Sequence, residues 1–114
     1  MSETGIFNAI IKKWDIKTSS CCMILQLEFK SSIGYVDFSF NLKYLQKICD
    51  ILNITSVSQM TGKPCIIFVE NGLFKDMGNF LFHHYKEFDI IEESDSWLFY
   101  SDVKNYYNEQ DKKN

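Results

Sequence analysis

The apolar residues change their spacing at Asn41, and this change constrains the fold more than any other feature of the sequence. Before it, residues 21–30 and 33–40 alternate between apolar and polar side chains, as β-strands with one buried face do. After it, apolar residues recur every three or four positions, which predicts an amphipathic helix over residues 42–52. Asparagine is a favoured N-cap, so we expect Asn41 to start this helix. Its apolar stripe consists of Leu42, Leu45, Ile48, Cys49 and Leu52.

The next stretch, SQMTGKPCIIFVENGLF at residues 58–74, predicts the second part of a sheet. Gly62 can close a turn in the left-handed conformation, and Pro64 can occupy the first position of a strand. The Asn71-Gly72 pair is a strong hairpin signal, so we expect the strand that starts at Pro64 to turn back there.

The predicted order of elements is β-β-β-α-β-β, with a short C-terminal helix. We place the first strand at residues 5–17, although Ile6, Ile10 and Lys13 also fit the spacing of a helix. A further short strand is expected at residues 97–100, with Ser101 as the cap of the last helix. A chain of 114 residues suits a single core. We therefore predict one α+β domain over residues 1–114: an antiparallel sheet of about five or six strands with one main helix packed on one face. Residues 103–114 are expected to form a frayed helix or tail.

Composition narrows the function classes. The formal net charge is -3, and all 12 basic residues are lysine, so the chain lacks the arginine fork that suits phosphates and base edges. We therefore do not favour direct nucleic-acid binding. No apolar run approaches the roughly 20 residues that span a bilayer, and the N-terminus does not read as a signal peptide. We expect no membrane association and a cytoplasmic location, in the host cell if the chain is phage-encoded.

Residues that could carry chemistry do not form a recognisable site. His83-His84 and Cys21-Cys22 are adjacent pairs, and neighbours on a strand point to opposite faces, so only one residue of each pair could face a metal. Cys49 and Cys65 fit small core residues. No nucleophile, base and orienting group can be grouped from the sequence. We therefore predict no catalytic residue, no metal site and no cofactor.

The central part of the chain resembles a family of small proteins common in bacteriophage genomes. The corresponding residues are Gly34-Tyr35, the helix LKYLQKICDILNI and the following TSVSQMTGKPCIIFVE, within a match that covers roughly residues 6–83. Asn53 stands where the family has glycine, and Val57-Ser58 where it has Trp-Glu. The resemblance implies a phage or mobile-element origin and a fold, and it brings no catalytic residue with it.

Acidic and aromatic residues are interleaved near the C-terminus, between residues 87 and 102. Tryptophan and tyrosine are enriched at the centres of interfaces, and an acidic rim attracts a basic partner. In the alternative interpretation, this stretch is a solvated loop whose aromatic residues turn inward. The candidate partner-binding residues are Glu87, Asp89, Glu92, Glu93, Asp95, Trp97, Phe99 and Tyr100.

These observations and the resemblance lead to a functional hypothesis. The chain is expected to be a non-enzymatic phage accessory protein that binds and inhibits a host protein with a basic surface. Such a partner could be a CRISPR-type or other nucleic-acid-handling defence effector, as for anti-CRISPR proteins. A homodimer could also form through a free sheet edge such as residues 5–17.

The alternative hypothesis is a nucleic-acid or nucleotide binding module in phage replication or counter-defence. Its candidate surface combines lysines with two aromatic residues, which could attract and stack a single strand. These residues are Lys12, Lys13, Lys17, Lys43 and Lys47 with Trp14 and Tyr44.

Overall fold

The computed structural model describes residues 4–29, 34–80 and 93–112, and its main element is a five-stranded antiparallel sheet. The strands are β1 (Gly5–Lys17), β2 (Cys22–Phe29), β3 (Gly34–Asn41), β4 (Pro64–Glu70) and β5 (Leu73–Gly78). The helices are α1 (Leu45–Leu52), α2 (Glu93–Ser96) and α3 (Ser101–Lys112), with 3-10 turns at Leu42–Tyr44 and Val57–Gln59. The α+β class and the β-β-β-α-β-β order are confirmed, while α2 was not predicted. The expected short C-terminal helix is wrong in length, since α3 has 12 residues and α1 has 8.

The strand order is β3-β2-β1-β4-β5, which places β1 in the centre. Its first half pairs with β4 from Gly5↔Val69 to Ile10↔Pro64, so the expectation of an edge strand over residues 5–17 is wrong for this half. A register shift against β2 follows Ile11, and past it β1 pairs only with β2 among the described residues. The second half of β1 therefore has one open side.

The helix after β3 begins three residues later than predicted. The Asn41 side chain accepts the backbone N–H of Lys43 at 2.9 Å, as expected of an N-cap, but it caps the 3-10 turn that precedes α1. The helix ends at Asn53, which has a left-handed φ of 57°. Asparagine tolerates that conformation better than most residues, which explains how the helix ends without glycine. The side chains of Ile48, Ile51 and Leu52 are buried against the sheet.

The turn and hairpin signals of residues 58–74 are confirmed. Gly62 has a φ of +87°, and β4 begins at Pro64. Asn71 and Gly72 both have positive φ, as a two-residue type I′ hairpin requires, and they join β4 to β5.

Both faces of β4 are buried, because helices cover the sheet on each side there. Cys65, Ile67 and Val69 point into the core that α1 covers. Ile66 and Phe68 point into a second core, which also contains Trp97 and Val103 from the C-terminal region. This arrangement explains why β4 reads as the unbroken apolar run CIIFV, whereas β2 and β3 alternate.

The sheet curls so that its two edge strands approach each other. The ring centroids of Phe38 in β3 and Phe74 in β5 are 4.4 Å apart, although β2, β1 and β4 lie between those strands in the sheet. The inner face of the curl holds the first core, where Met23, Leu25 and Leu27 of β2 are fully buried.

Candidate protein-binding segment

The structure describes five of the eight predicted partner-binding residues; Glu87, Asp89 and Glu92 lie outside the described residues. Glu93 begins α2, and Asp95 in α2 is exposed. Trp97 is buried, Phe99 is 41% exposed, and Tyr100 is half-buried. We call residues 93–100 the 93–100 segment.

The backbone of the 93–100 segment is attached to the outer edge of β5. Asn79 donates its N–H to the Ser96 carbonyl at 2.7 Å, and Leu98 donates its N–H to the Met77 carbonyl at 2.9 Å. Between them, Gly78 and Trp97 form one antiparallel bridge. The strand predicted at residues 97–100 is therefore reduced to a single bridge, and it covers the end of β5.

Two consecutive side chains anchor the segment in two different cores. Trp97 is fully buried in the core under α3, whereas Leu98 is 2% exposed and lies in the core under α1. Trp97 is thus a core residue and is not available as a surface anchor, which corrects its place among the predicted interface residues. The alternative interpretation, an aromatic residue turned inward, holds at this position.

The side chain of Asp76 in β5 fixes the backbone of the segment through hydrogen bonds. Asp76 is only 1% exposed. Its carboxylate accepts hydrogen bonds from the backbone N–H groups of Tyr100 at 2.8 Å, Phe99 at 3.2 Å and Met77 at 2.8 Å. Burial raises the pKa of Asp76 to about 6, while the hydrogen bonds from these backbone N–H groups act in the opposite direction.

The same carboxylate lies at the start of α3. The Tyr100 carbonyl accepts the N–H of Lys104 at 2.7 Å, so Tyr100 occupies the N-cap position and Ser101 is the first helical residue. The prediction that Ser101 caps this helix is therefore wrong. Tyr100 has a left-handed φ of 70°, and its own N–H is bound by Asp76. A negative charge at this end of a helix is favourable because it complements the helix dipole.

The solvent-facing part of the segment combines an aromatic ring with an acidic residue. The Phe99 ring packs edge-on against Tyr44, with centroids 5.1 Å apart and an interplanar angle of 86°. The Nζ atom of Lys43 lies 5.1 Å from the centre of the Tyr44 ring. Asp95 is exposed on α2, four residues before Phe99. The result is a positioned, partly exposed aromatic ring, with one exposed acidic residue four positions before it in the sequence.

Most lysines of the alternative nucleic-acid surface have acidic neighbours. Lys12 contacts Glu28 at 2.8 Å, and Lys17 contacts Asp15 at 2.9 Å. Lys13 lines a shallow groove of about 340 Å³ on the outer face of the sheet, together with Trp14, Asp15, Ile24, Gln26 and Asp37. A surface of mixed sign attracts a polyanion less than a basic stripe would.

The cysteine and acidic residues that the structure describes do not come together as a catalytic or metal-binding cluster. Burial raises the pKa of the Cys65 thiol to about 12. The pKa of the Cys49 thiol is also raised, mainly by burial and to a smaller extent by the negative charge of Asp50. Within the described ranges, no three histidine, cysteine or acidic residues are grouped as metal ligands would be. His83 and His84 lie outside the described residues. Over the same ranges, no helix has the length and apolar character needed to cross a bilayer.

No family model, curated protein or solved structure matches the chain. The resemblance to small bacteriophage proteins thus stays a prediction from the sequence.

Two residues that determine the geometry of the segment were missed by the sequence analysis. Asp76 lies between Lys75 and Met77 in a strand where an exposed carboxylate would fit equally well, and nothing in the sequence indicates that residues 97–100 return to it. Tyr44 was assigned to a basic aromatic face, whereas its ring contacts Phe99. Both contacts are long-range, which local patterns do not encode.

Proposed function

We propose that this chain is a non-enzymatic binding protein that docks its 93–100 segment onto a basic surface of a protein partner. The main support is that Phe99, a large apolar residue, is 41% exposed although its backbone is fixed. Leu98 before it is buried, and the N–H groups of Phe99 itself and of Tyr100 after it bind Asp76. Exposure of a single apolar side chain is ordinary, but here its backbone N–H is bound by a buried carboxylate and its ring is positioned by Tyr44.

Preorganisation supports binding by this segment. A loop that is already ordered loses less conformational entropy on association than a flexible loop does, so more of its contact energy appears as affinity. Trp97 and Leu98 fix the segment in two cores, and Asp76 fixes the next two residues. Phe99 then projects from a rigid base, as aromatic residues at the centre of an interface commonly do.

Charge supports a basic partner. Asp95 is exposed in the segment, and Asp102 is exposed in the first turn of α3. Carboxylates around an aromatic contact speed association with a positively charged surface and oppose association with an acidic one. Glu87, Asp89 and Glu92 precede the segment in the sequence and lie outside the described residues.

We further propose that the partner is a CRISPR-type or other nucleic-acid-handling defence effector in the host cytoplasm. Such proteins bind phosphates in basic clefts, and an acidic segment can compete for the same cleft. The resemblance of the central residues to small bacteriophage proteins supports a host defence effector as the partner.

The proposal is tested with purified RNA-guided nucleases. Cleavage of a matched DNA target is measured at increasing concentrations of the protein, for the wild type, Phe99→Ala and Asp95→Asn. We expect the wild type to inhibit at least one effector, Phe99→Ala to weaken inhibition by roughly tenfold or more, and Asp95→Asn to weaken it less and mainly at low salt.

Leu73→Ala provides the matched control, since Leu73 is 62% exposed but lies at the start of β5, outside the segment. It should inhibit like the wild type. Equal inhibition by wild type and Phe99→Ala would contradict docking through the segment. Binding to single-stranded DNA or RNA with a steep salt dependence would instead favour the nucleic-acid alternative.

A further inference from the structure

No strand pairs with the outer edge of β3 in the part of the chain that the structure describes, although the Phe38 ring contacts Phe74 of β5 across the curl. β3 is the last strand on its side of the sheet and pairs with β2 without a register shift, from Cys22↔Asn41 to Phe29↔Gly34. An eight-residue regular edge of this kind presents a row of backbone groups to which another strand can bind.

The backbone alternation shows which groups are free. Leu42 donates its N–H to the Cys21 carbonyl at 2.8 Å, so the pair that Leu42 forms with Cys21 is a hydrogen-bonded one. In an antiparallel ladder such pairs alternate along the strand. The free groups that point away from β2 are therefore the N–H and C=O of Tyr35, Asp37 and Ser39, together with the N–H of Asn41, whose carbonyl begins the 3-10 turn Leu42–Tyr44.

The open edges of β5 and β1 are each protected in part, whereas β3 carries no such feature. Residues 96–98 cover the end of β5, and the open half of β1 carries Lys12, Lys13 and Lys17. Lysine, proline, bulges and covering loops are the usual means by which proteins prevent pairing between edges. The sequence of β3, GYVDFSFN, has no lysine and no proline, and its one charged residue is Asp37.

We propose that β3 pairs with β3 of a second copy, forming a symmetric antiparallel dimer with a ten-stranded sheet. Several registers would pair the outward-pointing residues of the two copies with each other, and the one centred on Phe38 brings all of residues 35–41 into the ladder. It places Asp37 opposite Ser39 of the second copy, Tyr35 opposite Asn41, and Phe38 opposite itself. The register centred on Asp37 would instead place two carboxylates opposite each other, which is unfavourable.

The dimer is tested by sedimentation velocity over a wide range of protein concentration. Ser39→Pro removes an N–H that points away from β2, so the fold should be retained, as checked by circular dichroism. Each dimer then lacks two interchain hydrogen bonds, and the dimer Kd should rise by roughly tenfold or more. Ser39→Ala keeps the N–H and removes the same hydroxyl, so this matched control should dimerise like the wild type.

Charge substitutions test the register. Ser39→Asp places a carboxylate opposite Asp37 of the second copy and should weaken the dimer, whereas Ser39→Lys places an ammonium there and should preserve or strengthen it. A wild-type protein that is monomeric throughout, or a folded Ser39→Pro variant that dimerises unchanged, would overturn the proposal. Equal effects of Ser39→Asp and Ser39→Lys would overturn the register centred on Phe38.

Discussion

The carboxylate of Asp76 accepts the backbone N–H of Tyr100 at 2.8 Å, across 24 positions of sequence. Asp76 belongs to β5, and Tyr100 is the residue from which α3 begins. One side chain therefore ties the sheet to the terminal helix and sets the position of Phe99, which precedes Tyr100. The stability of the C-terminal region and the geometry of the proposed binding segment depend on the same carboxylate.

Replacing Asp76 by alanine should destabilise the protein by about 2–3 kcal/mol, because it removes a charged acceptor and leaves buried N–H groups without a partner. The loss should be concentrated in residues 97–112, which would exchange their amide hydrogens faster than β1 and β2 do. Chemical denaturation measures the total, and hydrogen exchange followed by mass spectrometry measures its location. Uniformly faster exchange across the sheet would contradict a local role.

Asp76 should also make stability depend on pH. Its pKa is about 6 in the folded chain and 3.8 in an ordinary environment, so the folded state binds the proton more tightly. This contribution is fully present below about pH 4 and is lost as the pH rises through 6. Relative to Asp76→Asn, the wild type should lose about 3 kcal/mol of unfolding free energy in total as the pH rises from well below 3.8 to well above 6.

Urea titrations of both proteins over this pH range provide the measurement, and other acidic groups cancel in the difference. The prediction is wrong if the wild type instead gains unfolding free energy relative to Asp76→Asn as the pH rises. That result would mean that the N–H groups stabilise the charged carboxylate more than burial destabilises it.

Gly78 should not tolerate a side chain, for a steric reason alone. A Cβ atom there would lie 2.8 Å from the Trp97 ring atoms Cδ2 and Cε3 and from the Ser96 carbonyl oxygen. Gly78→Ala should therefore cost about 1–3 kcal/mol and displace Trp97, visible as a change in tryptophan fluorescence.

Gly62 offers the contrasting case. A Cβ atom on Gly62 would meet nothing within 4 Å, but its φ is +87°. Gly62→Ala should cost about 1–2 kcal/mol through backbone strain and leave the Trp97 fluorescence unchanged. If Gly78→Ala left the fluorescence as it is, the close contact between Gly78 and Trp97 would be in doubt.

Local patterns were sufficient for most of the fold. Alternation placed Met23, Leu25 and Leu27 on the buried face of β2, and the Asn71-Gly72 pair gave the hairpin. Each of these signals acts within a few residues. The expected edge position of β1 was wrong for its first half, because strand order depends on long-range pairing that alternation does not encode.

The candidate segment was predicted only in part for the same reason. Its acidic and aromatic composition was evident, but which aromatic residues face solvent depends on contacts with β5. Trp97 is buried because Gly78 leaves room for its ring, while Phe99 projects from a backbone held by Asp76. Composition gives the same expectation for both aromatic residues.

The cysteines should differ strongly in reactivity. Cys21 is exposed, whereas Cys65 is fully buried and burial raises its pKa to about 12. A thiol reacts as its thiolate, so iodoacetamide should label Cys21 in the native protein and leave Cys65 unlabelled until the chain unfolds. Peptide mass spectrometry after brief labelling, with and without urea, distinguishes the two sites. Rapid native labelling of Cys65 would contradict its burial in β4.

The ring contact between Phe38 and Phe74 should maintain the curl of the sheet, because these residues connect the two edge strands. Phe74→Ala should cost about 2–3 kcal/mol, which is less than for a fully buried ring because Phe74 is only half-buried. A double-mutant cycle with Phe38→Leu should give a coupling of about 0.5–1.5 kcal/mol. Leu73→Ala is the control on the same strand and should change stability by less than about 0.5 kcal/mol. A coupling near zero would mean that the two edge strands are held together by the backbone of the sheet rather than by this contact.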